Sequence, residues 1–429
     1  MKAIYDFLDE SASRHPSKTA IIFEKEHVPY ARLISKTRAT SNFIQGCTRT
    51  GDVVSVISEN SVELLITYFS ILKSGCIAHL IPPQTSDENL LAQVKQTKPE
   101  LLFSTNSLRD KISRSGCLSD TKFVDMKSII HNDVSNDTKF SGNRYHDVST
   151  IIFTSGTTAK PKGARLKHSN VITATQNIVD RLGIKNVDIE INTLQLSHSF
   201  GLGCTHAILS QGATAVIFRN TINLKGIVKI ALDERATGFV GVPVTFRKLL
   251  DTCKDDFGSC SKHFRYLLTN SAPMPKETIM EIIDLFPNAK FYTYYGLTEA
   301  SRSTFMLFNE NLAKIESVGK PAPRVQIKIM DEHGKILSAN QIGEIYISGP
   351  HVIDEYWNNP DADSKLRDGW LQTGDLGYFD SDGYLYLKGR KDDLINVGGE
   401  KVSSLEIENI IKQLDGISDV AVIGIPDNT

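Results

Sequence analysis

The chain has 429 residues, 40% of them hydrophobic, and a formal net charge of −2. Its length exceeds what one hydrophobic core usually supports, so we expect several subdomains. The near balance of interspersed acidic and basic residues argues against binding to duplex nucleic acid or to an anionic membrane surface.

The sequence indicates neither a signal peptide nor a membrane-spanning segment. Acidic residues interrupt the first ten positions, where a signal peptide would be apolar, and the longest apolar run, residues 64–72, is too short to span a bilayer. The six cysteines have no CxxC spacing, which argues against a zinc site and against a disulfide framework. We therefore expect a cytoplasmic protein with reduced thiols.

Hydrophobic patterning divides the chain into four parts. Over residues 1–145, short β-type runs alternate with helical stretches, which predicts a parallel α/β layer. The alternation resumes over residues 146–314 and predicts a second doubly wound layer. Residues 315–391 change to short alternating runs separated by turns, which is typical of a small antiparallel β-barrel. Residues 392–429 hold one helix and one strand candidate, too little for an independent core.

Residues 154–163 follow the strand candidate 151–153 and combine hydroxyl side chains, glycines and two lysines. A polyphosphate needs many short-range donors and a backbone that allows close approach, and this composition supplies both. The P-loop of ATPases does not fit, because Gly163 is followed by Ala164 and not by lysine. The segment therefore predicts a phosphate-binding loop of another type, in preference to an ordinary polar turn.

Further short motifs follow this loop in a fixed order. They are HSFG at 198–201, NSAP at 270–273, YYGLTE at 294–299, GEI at 343–345, QTGD at 372–375 and GRKD at 389–392. Together with the loop they resemble the adenylate-forming superfamily, which contains acyl-CoA and aryl-CoA synthetases, adenylation domains of nonribosomal peptide synthetases and beetle luciferases. The resemblance covers essentially the whole chain and implies two doubly wound α/β subdomains, a β-barrel and the start of a small α+β C-terminal domain.

The resemblance also implies the reaction. A carboxylate is a poor acyl donor, so it first attacks the α-phosphate of ATP, giving an acyl-adenylate and pyrophosphate, mainly through positioning and charge neutralisation by the protein. The acyl group is then transferred to a phosphopantetheine thiol, either of coenzyme A or of a carrier protein. Two other interpretations stay open: an amino-acid-activating domain, and a catalytically impaired, adenylate-binding regulatory protein.

By the same resemblance, Thr298 contacts the α-phosphate and Glu299 holds Mg²⁺, a cation that favours carboxylate and phosphate oxygens. Taken alone, this Thr–Glu pair would be an ordinary helix N-cap. The residues implied for the β- and γ-phosphates are Thr154, Ser155, Gly156, Thr157, Thr158 and Lys162. Those implied for the adenosine are Ser271, Ala272, Pro273 and Tyr295 around the base, with Asp375 and Arg390 at the ribose, where a carboxylate accepts from both hydroxyls.

His198 is implied at the acyl site beside Thr298 and Glu299, as a wall near the reacting atoms and not as a proton carrier. Residues 197–201 offer no acidic side chain to pair with an α-ammonium group, which disfavours amino acids and favours a fatty or aromatic acid. The pocket residues implied are His198, Ser199, Phe200, Val240, Gly241, Pro243, Asn270 and Tyr294.

The C-terminal motifs imply a conformational change between the two half-reactions. Asp392 matches the hinge of the superfamily, and Gly398 and Gly399 match the loop along which the thiol enters. The sequence ends before the position of the superfamily's catalytic lysine. We therefore expect this chain by itself to bind nucleotide and acid but to adenylate slowly, by a factor of about 10²–10³, unless the chain is completed elsewhere.

Overall fold

In the described part of the chain, the strands form four sheets, of nine, six, five and two strands. A computed structural model describes residues 2–119, 121–131, 140–154, 161–220, 223–397, 400–411, 414, 416–417 and 420–425. The strands are β1 Thr19–Phe23, β2 Glu26–Pro29, β3 Val53–Ile57, β4 Ile77–Ile81, β5 Leu101–Ser104, β6 Lys122–Asp125, β7 Val148–Thr154, β8 Lys162–Lys167, β9 Ile189–Asn192, β10 Thr214–Ile217, β11 Gly238–Gly241, β12 Tyr266–Thr269, β13 Lys290–Leu297, β14 Ala300–Leu307, β15 Lys320–Pro321, β16 Gln326–Met330, β17 Gly343–Ser348, β18 Leu366–Arg367, β19 Trp370–Phe379, β20 Leu385–Arg390, β21 Leu394–Val397 and β22 Glu400–Ser403.

Helices cover the sheets and connect the parallel strands. They are α1 Tyr5–Arg14, α2 Tyr30–Cys47, α3 Val62–Lys73, α4 Asp87–Thr97, α5 Arg109–Arg114, α6 Met126–His131, α7 His168–Leu182, α8 Ser199–Ser210, α9 Leu224–Asp233, α10 Pro243–Ser259, α11 Lys276–Leu285, α12 Pro360–Asp363 and α13 Ser404–Ile411. None of the described helices has the length and apolarity needed to cross a membrane.

The two large sheets are the predicted α/β layers. The six-stranded sheet has the order β6-β5-β3-β4-β7-β8 and is parallel up to β7, which pairs antiparallel with β8. The nine-stranded sheet has the order β15-β14-β13-β12-β11-β9-β10-β1-β2, with a parallel centre and antiparallel edges. Their central strands are buried along their length, as expected where helices cover both faces. The α/β fold class is confirmed.

The sheets exchange strands across residue 145. Strand β1 precedes that residue but pairs in parallel with β10, Ile21 opposite Ala215, and so belongs to the nine-stranded sheet. Strands β7 and β8 follow it but complete the six-stranded sheet, where Ile152 lies opposite Leu80. The apolar residues at these paired positions are buried. Each sheet therefore contains strands from both sides of residue 145. The division of the chain at residues 145 and 314 stays a prediction.

The five-stranded sheet is antiparallel, as predicted for residues 315–391. Strand β17 pairs with β16 on one side and β19 on the other. Strand β19 is long, and β18 and β20 pair with different parts of it. The turn between β19 and β20 contains Gly383, with a φ of +78°. After β20, strands β21 and β22 form the two-stranded sheet.

Gly319 joins the five-stranded sheet to the nine-stranded one. Its φ is +92°, and an added Cβ would overlap the carbonyl of Phe305 in β14. We expect Gly319→Ala to lower the free energy of unfolding by about 3 kcal/mol, from backbone strain plus this overlap. The matched control is Gly383→Ala, which has similar φ but no described atom within 4 Å of an added Cβ, and should cost only about 1 kcal/mol. Equal losses in urea denaturation of the two variants would contradict the structural explanation.

Candidate active site

The predicted site residues meet where strands of the large sheets end. Thr154 ends β7, Gly241 ends β11, and Asn270 follows β12 directly. Thr298 and Glu299 form the turn between β13 and β14. In open α/β folds the carboxyl ends of parallel strands form the usual ligand-binding edge, so this placement agrees with a binding site.

Glu299 is held by residues from two other parts of the chain. Its Oε1 accepts a hydrogen bond from the Tyr356 hydroxyl at 3.0 Å and a longer one from the Thr154 hydroxyl at 3.5 Å. The Glu299 carbonyl also accepts from the backbone N–H of Ile353 at 3.0 Å. Burial, together with the Glu299 charge, raises the pKa of Tyr356, so this hydroxyl stays a donor. The contacts connect the end of β7, where the predicted phosphate loop begins, to the predicted metal ligand.

Asp375 lies at the centre of a second cluster. Its Oδ2 accepts from the Tyr295 hydroxyl at 2.5 Å and its Oδ1 from Arg390 Nη1 at 3.0 Å. Its backbone N–H donates to the Thr373 hydroxyl at 3.0 Å. Burial raises the pKa of Asp375, and the Tyr295 hydrogen bond and the Arg390 charge oppose that rise. The cluster brings together three residues that the sequence assigned separately to base and ribose.

The two clusters are close enough to interact electrostatically. The negative charge of Glu299 contributes to raising the pKa of Asp375. Tyr295 lies in β13, three residues before the Thr298–Glu299 turn, and Arg390 ends β20 of the five-stranded sheet. The nine-stranded and five-stranded sheets therefore both contribute to one site.

The adenine segment is an exposed stretch after β12. Ser271, Ala272 and Pro273 are all exposed, and Ser271 has a φ of +82°. Tyr295 is only 7% exposed. The roles of these residues around the base stay predictions.

The predicted acyl-pocket residues differ in accessibility. Phe200 and Tyr294 are buried edge-to-face with ring centroids 5.3 Å apart, and Val240 is fully buried in β11. His198 is the exposed N-cap residue of α8, and Ser199 is half-buried. Gly241 is buried, and Pro243 and Asn270 are half-buried. Of the eight residues, Ser199 lines the apolar cavity that the structure shows between α7 and α8, which Thr298 also lines.

Several predicted residues lie at or beyond the limits of the described chain. Ser155, Gly156, Thr157, Thr158, Gly398 and Gly399 lie outside the described residues. Lys162 opens β8 opposite Thr154, so both ends of the predicted phosphate loop are fixed in one antiparallel pair. Asp392 is exposed after β20.

A metal ion would find one protein ligand here. In the described part of the chain, no group of three or more His, Cys, Asp or Glu side chains is placed to hold a metal. Glu299 supplies a half-buried carboxylate whose Oε1 is oriented by Tyr356. One carboxylate fits Mg²⁺ that is otherwise bound by nucleotide phosphates and water.

Two residues of the site were missed by the sequence motifs. Tyr356 lies in an irregular segment 57 positions from its partner Glu299, and Arg302 follows the YYGLTE motif as a fully buried cation. For Arg302, the sequence did offer a signal, because this arginine lies three positions after the end of the motif. Nothing in the local sequence distinguishes Tyr356.

Known proteins resemble this chain in sequence and in fold. The family model described as "AMP-binding enzyme" matches residues 8–357. The chain is 30% identical to peroxisomal OPC-8:0-CoA ligase 1 of Arabidopsis thaliana, over 88% of this chain and 73% of that protein. It is 28% identical to a 2-succinylbenzoate–CoA ligase of Bacillus anthracis (strain A0248), over 100% of this chain and 86% of that protein.

A solved structure gives the same result. The O-succinylbenzoate coenzyme A synthetase of Bacillus subtilis, in complex with AMP, matches with a TM-score of 0.89 at 25% identity, covering 98% of this chain and 86% of that one. The class defined by fold and site is that of the adenylate-forming enzymes. The chain belongs to the AMP-binding enzyme family of this superfamily, and within it to the AMP-forming acyl- and aryl-CoA ligases.

Proposed function

We propose that the protein activates a carboxylic acid and transfers its acyl group to the thiol of coenzyme A; the fatty or aromatic acyl group favoured by the sequence stays a prediction. The observation that carries the proposal is the Asp375–Tyr295–Arg390 cluster beside the Glu299–Tyr356–Thr154 cluster. The Asp375 cluster would offer a carboxylate to the ribose hydroxyls. The Glu299 cluster includes Thr154, where the sequence rich in potential phosphate donors begins. Coenzyme A is the proposed acceptor because the relatives are named as CoA ligases.

The first half-reaction requires positioning more than acid–base chemistry. A carboxylate oxygen of the substrate attacks the α-phosphorus of ATP, the bond to the bridging oxygen breaks, and pyrophosphate leaves. Thr298 would donate to the α-phosphate, and Thr154 and Lys162 to the outer phosphates. The substrate carboxylate is already ionised near neutral pH, so no residue has to remove a proton.

Mg²⁺ would be held by Glu299 and would neutralise phosphate charge. The chain's own contribution is to orient that carboxylate through Tyr356 and to fix the turn through Ile353. In the second half-reaction the thiol sulfur attacks the acyl carbon, AMP leaves, and the thiol proton passes to solvent. His198, at the N-cap of α8, would line the acyl side of this reaction.

Ligand binding tests this proposal. We expect AMP, ATP with Mg²⁺ and non-hydrolysable N-acylsulfamoyl adenosines to raise the thermal midpoint of the protein, with GTP as the nucleotide control. An analogue present at 100 times its dissociation constant should stabilise the folded state by about 2.7 kcal/mol. If AMP, ATP and every acyl analogue left the midpoint unchanged, the proposed function would be wrong.

A further inference from the structure

A cavity of about 40 Å³ lies between α7 and α8. Its wall is largely apolar, with Ile178 of α7 and Leu202 of α8 among the lining residues, and Thr298 also lines it. We call it the α7–α8 cavity. Its volume is about three times the space that one enclosed water molecule needs, so it suits a short acyl group.

Arg302 lines the α7–α8 cavity and is only 1% exposed. Its Nη1 donates to the Ser199 carbonyl at 2.7 Å and its Nη2 to the Phe200 carbonyl at 2.8 Å. The guanidinium also lies 5.0 Å from the ring centroid of Tyr294. None of these described partners is a carboxylate, so the charge is solvated by neutral groups.

The chain makes structural room for this cation. Arg302 has a φ of +62°, a backbone conformation that costs free energy for a residue with a side chain. Gly203 of α8 faces it, and an added Cβ there would lie 2.7 Å from Nη2. A helix-interior glycine and a left-handed arginine are both unfavourable, and here they occur together to seat one guanidinium beside the cavity.

Several buried polar atoms around the α7–α8 cavity have no hydrogen-bond partner among the described residues. They are the Thr175 hydroxyl, both ring nitrogens of His206, Nδ1 of His351 and Nε of Arg302. Buried polar atoms are normally hydrogen-bonded, so such a concentration around one cavity indicates a polar ligand. Burial lowers the pKa of His206 to about 3 and that of His351 to about 4, so both rings are neutral near pH 7. Arg302 is then the charged group of this wall.

We propose that the α7–α8 cavity binds the acyl part of the acid substrate, and that Arg302 makes the site selective for a short aliphatic acid with a second carboxylate. This assignment rests on the proposed function, because it places the reacting carboxylate at Thr298. The apolar wall receives the methylene groups, and the second carboxylate pairs with the guanidinium. A buried cation is costly unless an anion pairs with it, so such an acid gains an interaction that an alkyl acid lacks.

The test compares matched pairs of N-acylsulfamoyl adenosines by isothermal titration calorimetry. Each pair has the same chain length and ends in a methyl group or a carboxylate: butanoyl and succinyl, pentanoyl and glutaryl, hexanoyl and adipoyl. In the wild-type protein we expect at least one carboxylate analogue to bind ten-fold or more tightly than its methyl partner. Equal or weaker binding by every carboxylate analogue would overturn the proposal, whatever the variants do.

Two variants then locate the preference. Arg302→Gln should remove it while AMP binding stays intact, and Thr175→Val should reduce it without loss of stability, because the hydroxyl it removes has no described partner. The control is Arg324→Gln, which removes a cation paired with Asp180 at the surface and should keep the preference. If Arg302→Gln weakened both members of each pair equally, Arg302 would act on the reacting carboxylate and the proposal would fail. AMP binding without any preference refutes this inference alone, whereas absence of all binding refutes the proposed function.

Discussion

Replacing Asp375 by asparagine is expected to raise the dissociation constant for AMP and for acylsulfamoyl adenosines by about 10²–10³. If Asp375 accepts from both ribose hydroxyls, the variant loses the charge on two hydrogen bonds, each worth roughly 1.5–3 kcal/mol. Isothermal titration calorimetry with AMP measures the effect directly. The size of the loss follows from the position of Asp375 between two sheets, where it is largely shielded from water.

The geometry of Asp375 leaves capacity for a ligand. Tyr295 and Arg390 each occupy one acceptor site, on different oxygens of the carboxylate. A carboxylate offers about four such sites, so two remain for the ribose hydroxyls. The same two partners oppose the burial that raises the pKa of Asp375. Arg390 and Tyr295 therefore prepare the acceptor before the nucleotide arrives.

A control separates loss of the ligand contact from loss of an ion pair. Asp380 follows β19 directly and forms its own ion pair with Lys314. Asp380→Asn should leave the AMP dissociation constant within about two-fold of the wild-type value. A similar loss in both variants, or tight AMP binding by Asp375→Asn, would show that Asp375 does not bind the ribose.

The sequence predicted the features that depend on local order. Alternating strand and helix signals gave the two α/β layers, and the change of pattern after residue 315 gave the antiparallel sheet. The family resemblance of the motifs assigned Tyr295, Asp375 and Arg390 to one adenosine, and the structure brings these three side chains into contact. The exchange of β1 and β7 between the layers was not predictable, because the apolar strands fit either sheet by composition.

Contacts between distant parts of the chain were also missed. Tyr356 reaches Glu299 from an irregular segment, and Arg302 contacts α8 about 100 positions away. Neither pair has a periodic signal, since only the folded backbone brings the partners together. Gly203 is a further case, because it leaves space for the Arg302 guanidinium. The hydrophobic pattern of a helix does not predict such a contact.

Glu190 in β9 is a fully buried acid that interacts electrostatically with Arg302. Its Oε2 accepts from the Tyr266 hydroxyl at 2.7 Å, and its Oε1 has no partner among the described residues. Burial raises the pKa of Glu190 from 4.5 to about 8, although the Tyr266 hydrogen bond and the Arg302 charge act in the opposite direction. The carboxyl is therefore mostly protonated at neutral pH in the folded protein.

Because of this buried acid, we expect the free energy of unfolding to fall as the pH rises. Between pH 4.5 and about 8 the unfolded chain gives up a proton that the folded protein retains at Glu190. Folding then costs more at higher pH, by about 1.4 kcal/mol per pH unit within that window. We expect Glu190→Gln, which keeps an acceptor for Tyr266, to gain about 4 kcal/mol relative to wild type between pH 5 and pH 8.

Urea denaturation of both proteins at half-unit pH steps measures this difference. The control, Glu332→Gln, removes a carboxylate that is 72% exposed, and its difference from wild type should change far less over the same range. A constant difference between Glu190→Gln and wild type would mean that Glu190 is ionised when folded. In that case it would compensate the charge of Arg302 from within the protein, and the free energy available for a ligand carboxylate would be correspondingly smaller. The pH dependence of the stability difference therefore also indicates how much binding free energy a ligand carboxylate can gain by pairing with Arg302.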